Sequence, residues 1–137
     1  MKLTGLHFFV RDLGKTIAFY RRLGLEFPAG AENGAFVGIT HDGVDLAFGT
    51  YALTRGYDRR FVEPSGASPN CLQFSVASRA ETDRIYAELT AAGHEGHLAP
   101  HDAFWGARYA EVIDPDGNLV GFQSPVDPAK RSRPPDA

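Results

Sequence analysis

The stretch YAEVIDPDGNLVGFQ, Tyr109–Gln123, reads as two short strands joined by a tight turn. Asp114-Pro115-Asp116-Gly117 supplies the turn, with proline presetting its backbone angle and glycine accepting a positive one. Side chains alternate across a strand, so Val120 and Phe122 share one face while Leu119, Gly121 and Gln123 share the other. Gly121 is the oddity. A glycine weakens a strand, so its place on the second face asks for a reason.

Working outward, the hairpin ends the second copy of a repeat. LQFSVASRAETDRIYAEL from Leu72 matches LHFFVRDLGKTIAFYRRL from Leu6 at a constant offset of 66 residues. Leu6 matches Leu72, Phe8 matches Phe74, Val10 matches Val76, Tyr20 matches Tyr86 and Leu23 matches Leu89. Each copy opens with the period-two alternation of a half-buried strand and then changes to helical spacing. Asp12 is the expected N-cap of the first helix, whose apolar face is Leu13, Ile17, Tyr20 and Leu23. Ser78 and Glu81 have capping-box spacing ahead of Ile85 and Leu89, and Gly24 and Gly93 mark the two helix ends. Three strand candidates follow each helix: LEF, AFVGIT and VDLAFG in the first copy, HEGHL, RYAEVI and NLVGFQ in the second. His41-Asp42-Gly43 turns the first hairpin. The expected fold is α+β, two tandem β-α-β-β-β modules over about 3–50 and 70–125, linked by 51–69, with 126–137 a disordered tail rich in proline and charge.

Composition narrows the function classes. The hydrophobic share of 43% and charged share of 23% are ordinary for a globular chain, and a net charge of -3 gives nucleic acid no basic stripe to hold. The apolar runs are too short to span a membrane, and MKLTGLHFFVRD meets charge too early for a signal peptide. One cysteine, Cys71, excludes an internal disulfide and suits a reducing cytoplasm.

With the repeat, VRDLGKTIAFYRRLGLEF and WGARYAEVIDPDGNLVGF resemble the vicinal oxygen chelate superfamily of glyoxalases, bleomycin-resistance proteins and extradiol dioxygenases, from Leu3 to about Pro125. The resemblance implies paired modules curving into an open, barrel-like cleft. It implies a homodimer. In metal-dependent members it also implies up to four inward strand residues, typically His and Glu, holding a divalent ion. Matched to the pattern, those positions are Gly5, Ala47, Cys71 and Gly121. Only Cys71 carries a donor, and one soft ligand does not make a site. No cofactor is expected, and a divalent metal would need a non-standard site.

Alternation alone separates the cleft face from the core. Gly5 shares its face with His7 and Phe9, Cys71 with Gln73 and Ser75, Ala47 with Asp45, and Gly121 with Leu119 and Gln123. Leu6, Phe8, Val10, Leu72, Phe74, Val76, Val120 and Phe122 form the opposite, apolar faces. The expected ligand-binding set is His7, Phe9, Asp45, Cys71, Gln73, Trp105 and Gln123, with Trp105 in HDAFWGARY offered as a stacking platform beside Phe104. His7 doubles as the candidate catalytic acid or base, against a bland reading as a cavity-lining histidine. Cys71 reads most simply as a small buried hydrophobe. HEGHLAPH clusters His94, His97 and His101 without an acidic or thiol set to complete a zinc site, so an exposed edge strand is the simpler reading. YDRR, Tyr57–Arg60, reads as a solvated loop before it reads as an anion clamp.

Two functions follow, beside a third class, an interaction or sensor module with no chemistry. One is a metal-free small-molecule binding protein, sequestering an antibiotic or another aromatic metabolite. The other is an enzyme of the same superfamily, using His7 as acid or base without metal, or a displaced metal site built on His7 and Asp45 with Gln73 or Gln123.

Overall fold

Asp12 accepts a hydrogen bond from the Lys15 amide at 3.1 Å and starts helix α1, Leu13–Arg22. Its inward face is Leu13, Ile17, Phe19 and Tyr20, all buried. The helix closes where Gly24 takes a φ of 89° and the Leu25 amide reaches back to the Tyr20 carbonyl. In the second copy Ser78 accepts from Glu81 at the start of helix α3, Arg79–Ala91. The Glu81 carboxylate returns to the Ala77 amide at 2.7 Å, one residue before the expected box position.

The computed structural model describes residues 1–66 and 68–135; Ala67, Asp136 and Ala137 lie outside the described residues. The chain divides into two compact units, Met1–Ser65 and Gly66–Ala137. In unit 1, strands β1 (Leu6–Val10), β2 (Phe36–His41) and β3 (Val44–Thr50) form a sheet in the order β1-β3-β2, with β1 parallel to β3. In unit 2, strands β4 (Cys71–Ser75), β5 (Glu95–Asp102), β6 (Arg108–Ile113) and β7 (Leu119–Gln123) take the order β4-β7-β6-β5, with β4 parallel to β7. Both units thus lay their first strand parallel to their last, as a duplicated motif requires.

The duplication is incomplete. Leu25–Phe27, expected as a strand, forms none, and unit 1 is β-α-β-β rather than β-α-β-β-β. Pro28 has no amide to donate to a ladder, and Gly30 turns the chain at a φ of 79° into a short 3-10 turn at Ala31–Asn33. The linker holds an unexpected helix α2, Tyr51–Tyr57, capped by Thr50, whose hydroxyl accepts from the Leu53 amide at 3.2 Å.

The tail expectation fails for its first half. Asp127 donates its amide to the Gly106 carbonyl, Ser132 donates to Phe104, and Pro128–Lys130 forms a 3-10 turn. Gly106, at a φ of 98°, lies so close to the Asp127 carbonyl that no side chain fits there.

The core faces fall only in part where alternation puts them, with Phe8, Leu72, Phe74 and Val76 half-buried. Val10, Val120 and Phe122 are buried, joined by Leu46, Phe48, Ala110 and Val112. Leu6 departs from the pattern at 50% exposure, because it begins its strand at the sheet margin. No helix among the described residues is long and apolar enough to cross a membrane.

Candidate functional site

In unit 1 the register sets His7 and Gly38 on either side of Ala47, and Thr40 beside Asp45, all on the open face of the sheet. Gly5, Gly38 and Ala47 carry little or no side chain, so this stretch of sheet is bare backbone. A groove of about 430 Å³ lies over it, lined by these residues together with His7, Thr40 and Asp45. Gly5 is small for a local reason: a side chain there would collide with the Asp45 backbone carbonyl. The chain margin therefore packs tightly against β3, and the groove opens above.

The hydrogen-bonded pair Thr40–Asp45 and the His7 ring border the groove. Thr40 donates its hydroxyl to Oδ1 of Asp45 at 2.6 Å, and no Lys, Arg or His among the described residues forms an ion pair with that carboxylate. His7 leans across Gly49, with Nε2 2.8 Å from the point a Cβ would occupy. Its ring is held 4.7 Å from Phe9 and edge-on to Phe36 at 5.7 Å. Aromatic neighbours thus fix the imidazole, and it makes no hydrogen bond among the described residues. Phe9 also packs on Phe61 at 5.7 Å and does not line the groove.

Unit 2 finishes the same face differently. The register pairs Tyr109 with Gln123 and Glu111 with Gly121. The Tyr109 hydroxyl reaches over Gly121, 2.6 Å from where a Cβ would stand, and donates to Oε1 of Glu111 at 2.8 Å. Cys71 Sγ lies 3.8 Å from the same hydroxyl, and His97 Nε2 is 3.8 Å from Oε2 of Glu111. Tyr109 is only 8% exposed. Burial first, then its bonds to Glu111 and Cys71, push the phenol well above its ordinary pKa. Trp105 meets Tyr109 edge-on at 5.3 Å and donates its indole N–H to Oε1 of Gln123 at 3.0 Å. Phe104 stands edge-on to the indole at 5.1 Å.

Gly121 therefore has a different meaning from the vacated position expected. The space above it is filled by Tyr109. Cys71 also departs from expectation, because the residue is exposed and not a buried hydrophobe. Partial burial of its sulfur still pushes the thiol pKa up, the Tyr109 contact offsetting this in part. His7, Asp45, Gly5 and Ala47 come together in unit 1; Cys71, Gly121, Gln123 and Trp105 come together in unit 2. Gln73 is exposed on β4 beside Gly121. Of the histidines, His101 bonds the Ala99 carbonyl and stands edge-on to Tyr109, and β5 is an exposed, bulged edge strand as expected. Among the described residues, no three His, Cys, Asp or Glu side chains converge as a metal site needs. In YDRR, Asp58 turns back to accept the Arg60 amide at 2.9 Å.

Sequence reasoning missed Tyr109, Glu111, Thr40 and Gly38. Their signal was present: each faces a residue already placed on the open side, one strand over.

A family model described as Glyoxalase/Bleomycin resistance protein/Dioxygenase superfamily matches residues 3–122. The chain belongs to this superfamily. The uncharacterized protein YraH of Bacillus subtilis (strain 168) is 32% identical over 126 residues, covering 88% of this chain and 95% of that protein. A superfamily member from Nocardioides, 25% identical, superposes with a TM-score of 0.73 over 98% of this chain and 90% of its own. The genomically encoded fosfomycin resistance protein FosX of Listeria monocytogenes, solved with Mn(II) and dihydroxypropylphosphonic acid, is 17% identical. It superposes with a TM-score of 0.68 over 95% of this chain and 94% of its own. At that identity the likeness is one of fold, and superfamily folds host many chemistries.

Proposed function

We propose that this protein binds a small organic molecule without a metal ion, and that the groove of unit 1 seats it. The groove itself carries the reading: about 430 Å³ over a bare patch of sheet, within the size of small-molecule pockets. The residues do not fit the divalent ion of metal-dependent relatives. Gly5, Ala47 and Gly121 offer no donor, and the direction a side chain at Gly121 would take is filled by the Tyr109 hydroxyl. Sequestration of an antibiotic or an aromatic metabolite is the role that suits such a groove. The single cysteine suits a reducing cytoplasm, and family resemblance favours a homodimer.

Catalysis by His7 is the competing reading. It is less favoured because, among the described residues, no carboxylate hydrogen-bonds the imidazole to fix its tautomer. The displaced metal site is weakened too, since Asp45 is engaged by Thr40 and Gln123 by Trp105.

Elemental analysis of the purified protein, melting with and without chelator, and native mass spectrometry test the proposal. The expected result is no stoichiometric metal, no melting shift on chelation, and a co-purified or added organic guest at one per chain. Stoichiometric metal, or a drop of several degrees with chelator, overturns it. Turnover that disappears in His7→Ala would favour the enzyme instead.

A further inference from the structure

The groove has a chemical polarity. Asp45 and Gly49 are four residues apart on β3, so the strand rise of about 3.3 Å per residue separates them by about 13 Å. At the Asp45 end stands a carboxylate with one oxygen bonded by Thr40 and, among the described residues, no ion pair with a Lys, Arg or His. At the Gly49 end stands the His7 ring, backed by Phe9 and Phe36. Between them the floor is the flat backbone at Gly38 and Ala47. A flat floor accepts the face of a planar group, an aromatic end wall accepts its apolar edge, and a carboxylate accepts its N–H donors.

We propose that the guest of this groove is a planar nitrogen cation, such as an amidinium, guanidinium or protonated aminoheterocycle, whose N–H groups donate to Asp45. The inference rests on the binding function proposed above and names its ligand class. A carboxylate takes two parallel N–H donors from a planar fork, and the charge makes each bond stronger than a neutral one. An anionic guest of the same shape meets Asp45 as a like charge and is repelled. Thr40 acts as a positioning residue: its hydroxyl holds Oδ1, which keeps the carboxylate from swinging to solvent.

Benzamidine, benzamide and benzoate share one ring and differ in charge, so they probe the groove directly. Titration of the full chain, followed by backbone amide NMR, is expected to show saturable shifts at Gly38, Thr40, Asp45 and Ala47 with benzamidine. Benzamide is expected to bind at least tenfold more weakly, and benzoate not at all. Asp45→Asn is expected to weaken benzamidine at least tenfold while the melting temperature stays close to wild type, since Asp45 is exposed. Thr40→Val should weaken it less. Benzoate binding as tightly as benzamidine, an unchanged affinity in Asp45→Asn, or shifts that map outside the groove would each overturn the inference. The two proposals fail separately. An anionic or neutral guest found in the groove by native mass spectrometry sinks the cation assignment and leaves the binding function standing. Stoichiometric metal with no organic guest sinks both.

Discussion

In unit 1 the imidazole of His7 leans over Gly49 and leaves Ala47 bare; in unit 2 the phenol of Tyr109 leans over Gly121 and covers it. The registers make the two sheets comparable position by position. Gly38 pairs with Ala47 as Glu111 pairs with Gly121, and Phe36 pairs with Gly49 as Tyr109 pairs with Gln123. The glycine of the last strand sits one face position later in unit 1 than in unit 2. A ring from a neighbouring strand falls onto whichever position lacks a side chain. That displacement decides which sheet keeps an open floor and which is closed by a hydrogen-bonded phenol.

The sharpest way to break this comparison is to remove the phenol. Tyr109→Ala deletes a buried aromatic and is expected to cost about 3 kcal/mol, read as a lower denaturant midpoint at unchanged slope. It should also open unit 2 as unit 1 is open, so that added phenol restores part of the lost melting temperature and does nothing for the wild type. A loss below about 1 kcal/mol would mean that Tyr109 does not close the face.

A second test separates backbone from side-chain crowding. Gly5→Ala drives a methyl into the Asp45 carbonyl, which moves only if β1 and β3 part. Gly121→Ala meets side chains only, the Tyr109 ring and the Cys71 sulfur, which can shift without parting the strands. The expected costs are about 2 kcal/mol for Gly5→Ala and under about 1 kcal/mol for Gly121→Ala. Equal costs would erase the distinction between a glycine kept for backbone approach and one kept for a ring.

Much of this was legible in the chain. The 66-residue offset is a pattern of the whole chain, and the Asp12 and Ser78 caps and the Asp-Gly turns are local signals that local physics reads correctly. The Asp42-Gly43 turn has both residues at positive φ, and Asp114 accepts the amides of Asp116 and Asn118, as short polar turn residues do. What stayed hidden depends on the register between neighbouring strands, which the alternation within one strand does not fix. Alternation put Gly121 on the open face, but only the pairing with β6 brings Tyr109 above it. Alternation put Asp45 beside the groove, but Thr40 as its partner follows from the hairpin register. The missing strand at Leu25–Phe27 was a competition that Pro28 and Gly30 won over the two apolar residues flanking Glu26.

The smallest effect tests the chemistry that sets the two faces apart. Tyr109→Phe keeps the ring and removes the hydroxyl that Glu111 and Cys71 share, and should cost about 1 kcal/mol near neutral pH. The pH dependence then carries a definite sign. Folding raises the phenol's pKa, chiefly through burial, so the folded state holds its proton where the unfolded chain has begun to release it. The resulting stability is fully present below the unfolded pKa of about 10 and is lost as the pH climbs beyond it, by up to about 1.4 kcal/mol per pH unit. Tyr109→Phe has no proton to lose there. Denaturation of both proteins between neutral and strongly alkaline pH should therefore bring their stabilities together as the pH rises. Parallel curves would mean that the Tyr109 hydroxyl is solvated, and that the face of unit 2 is open as unit 1's is.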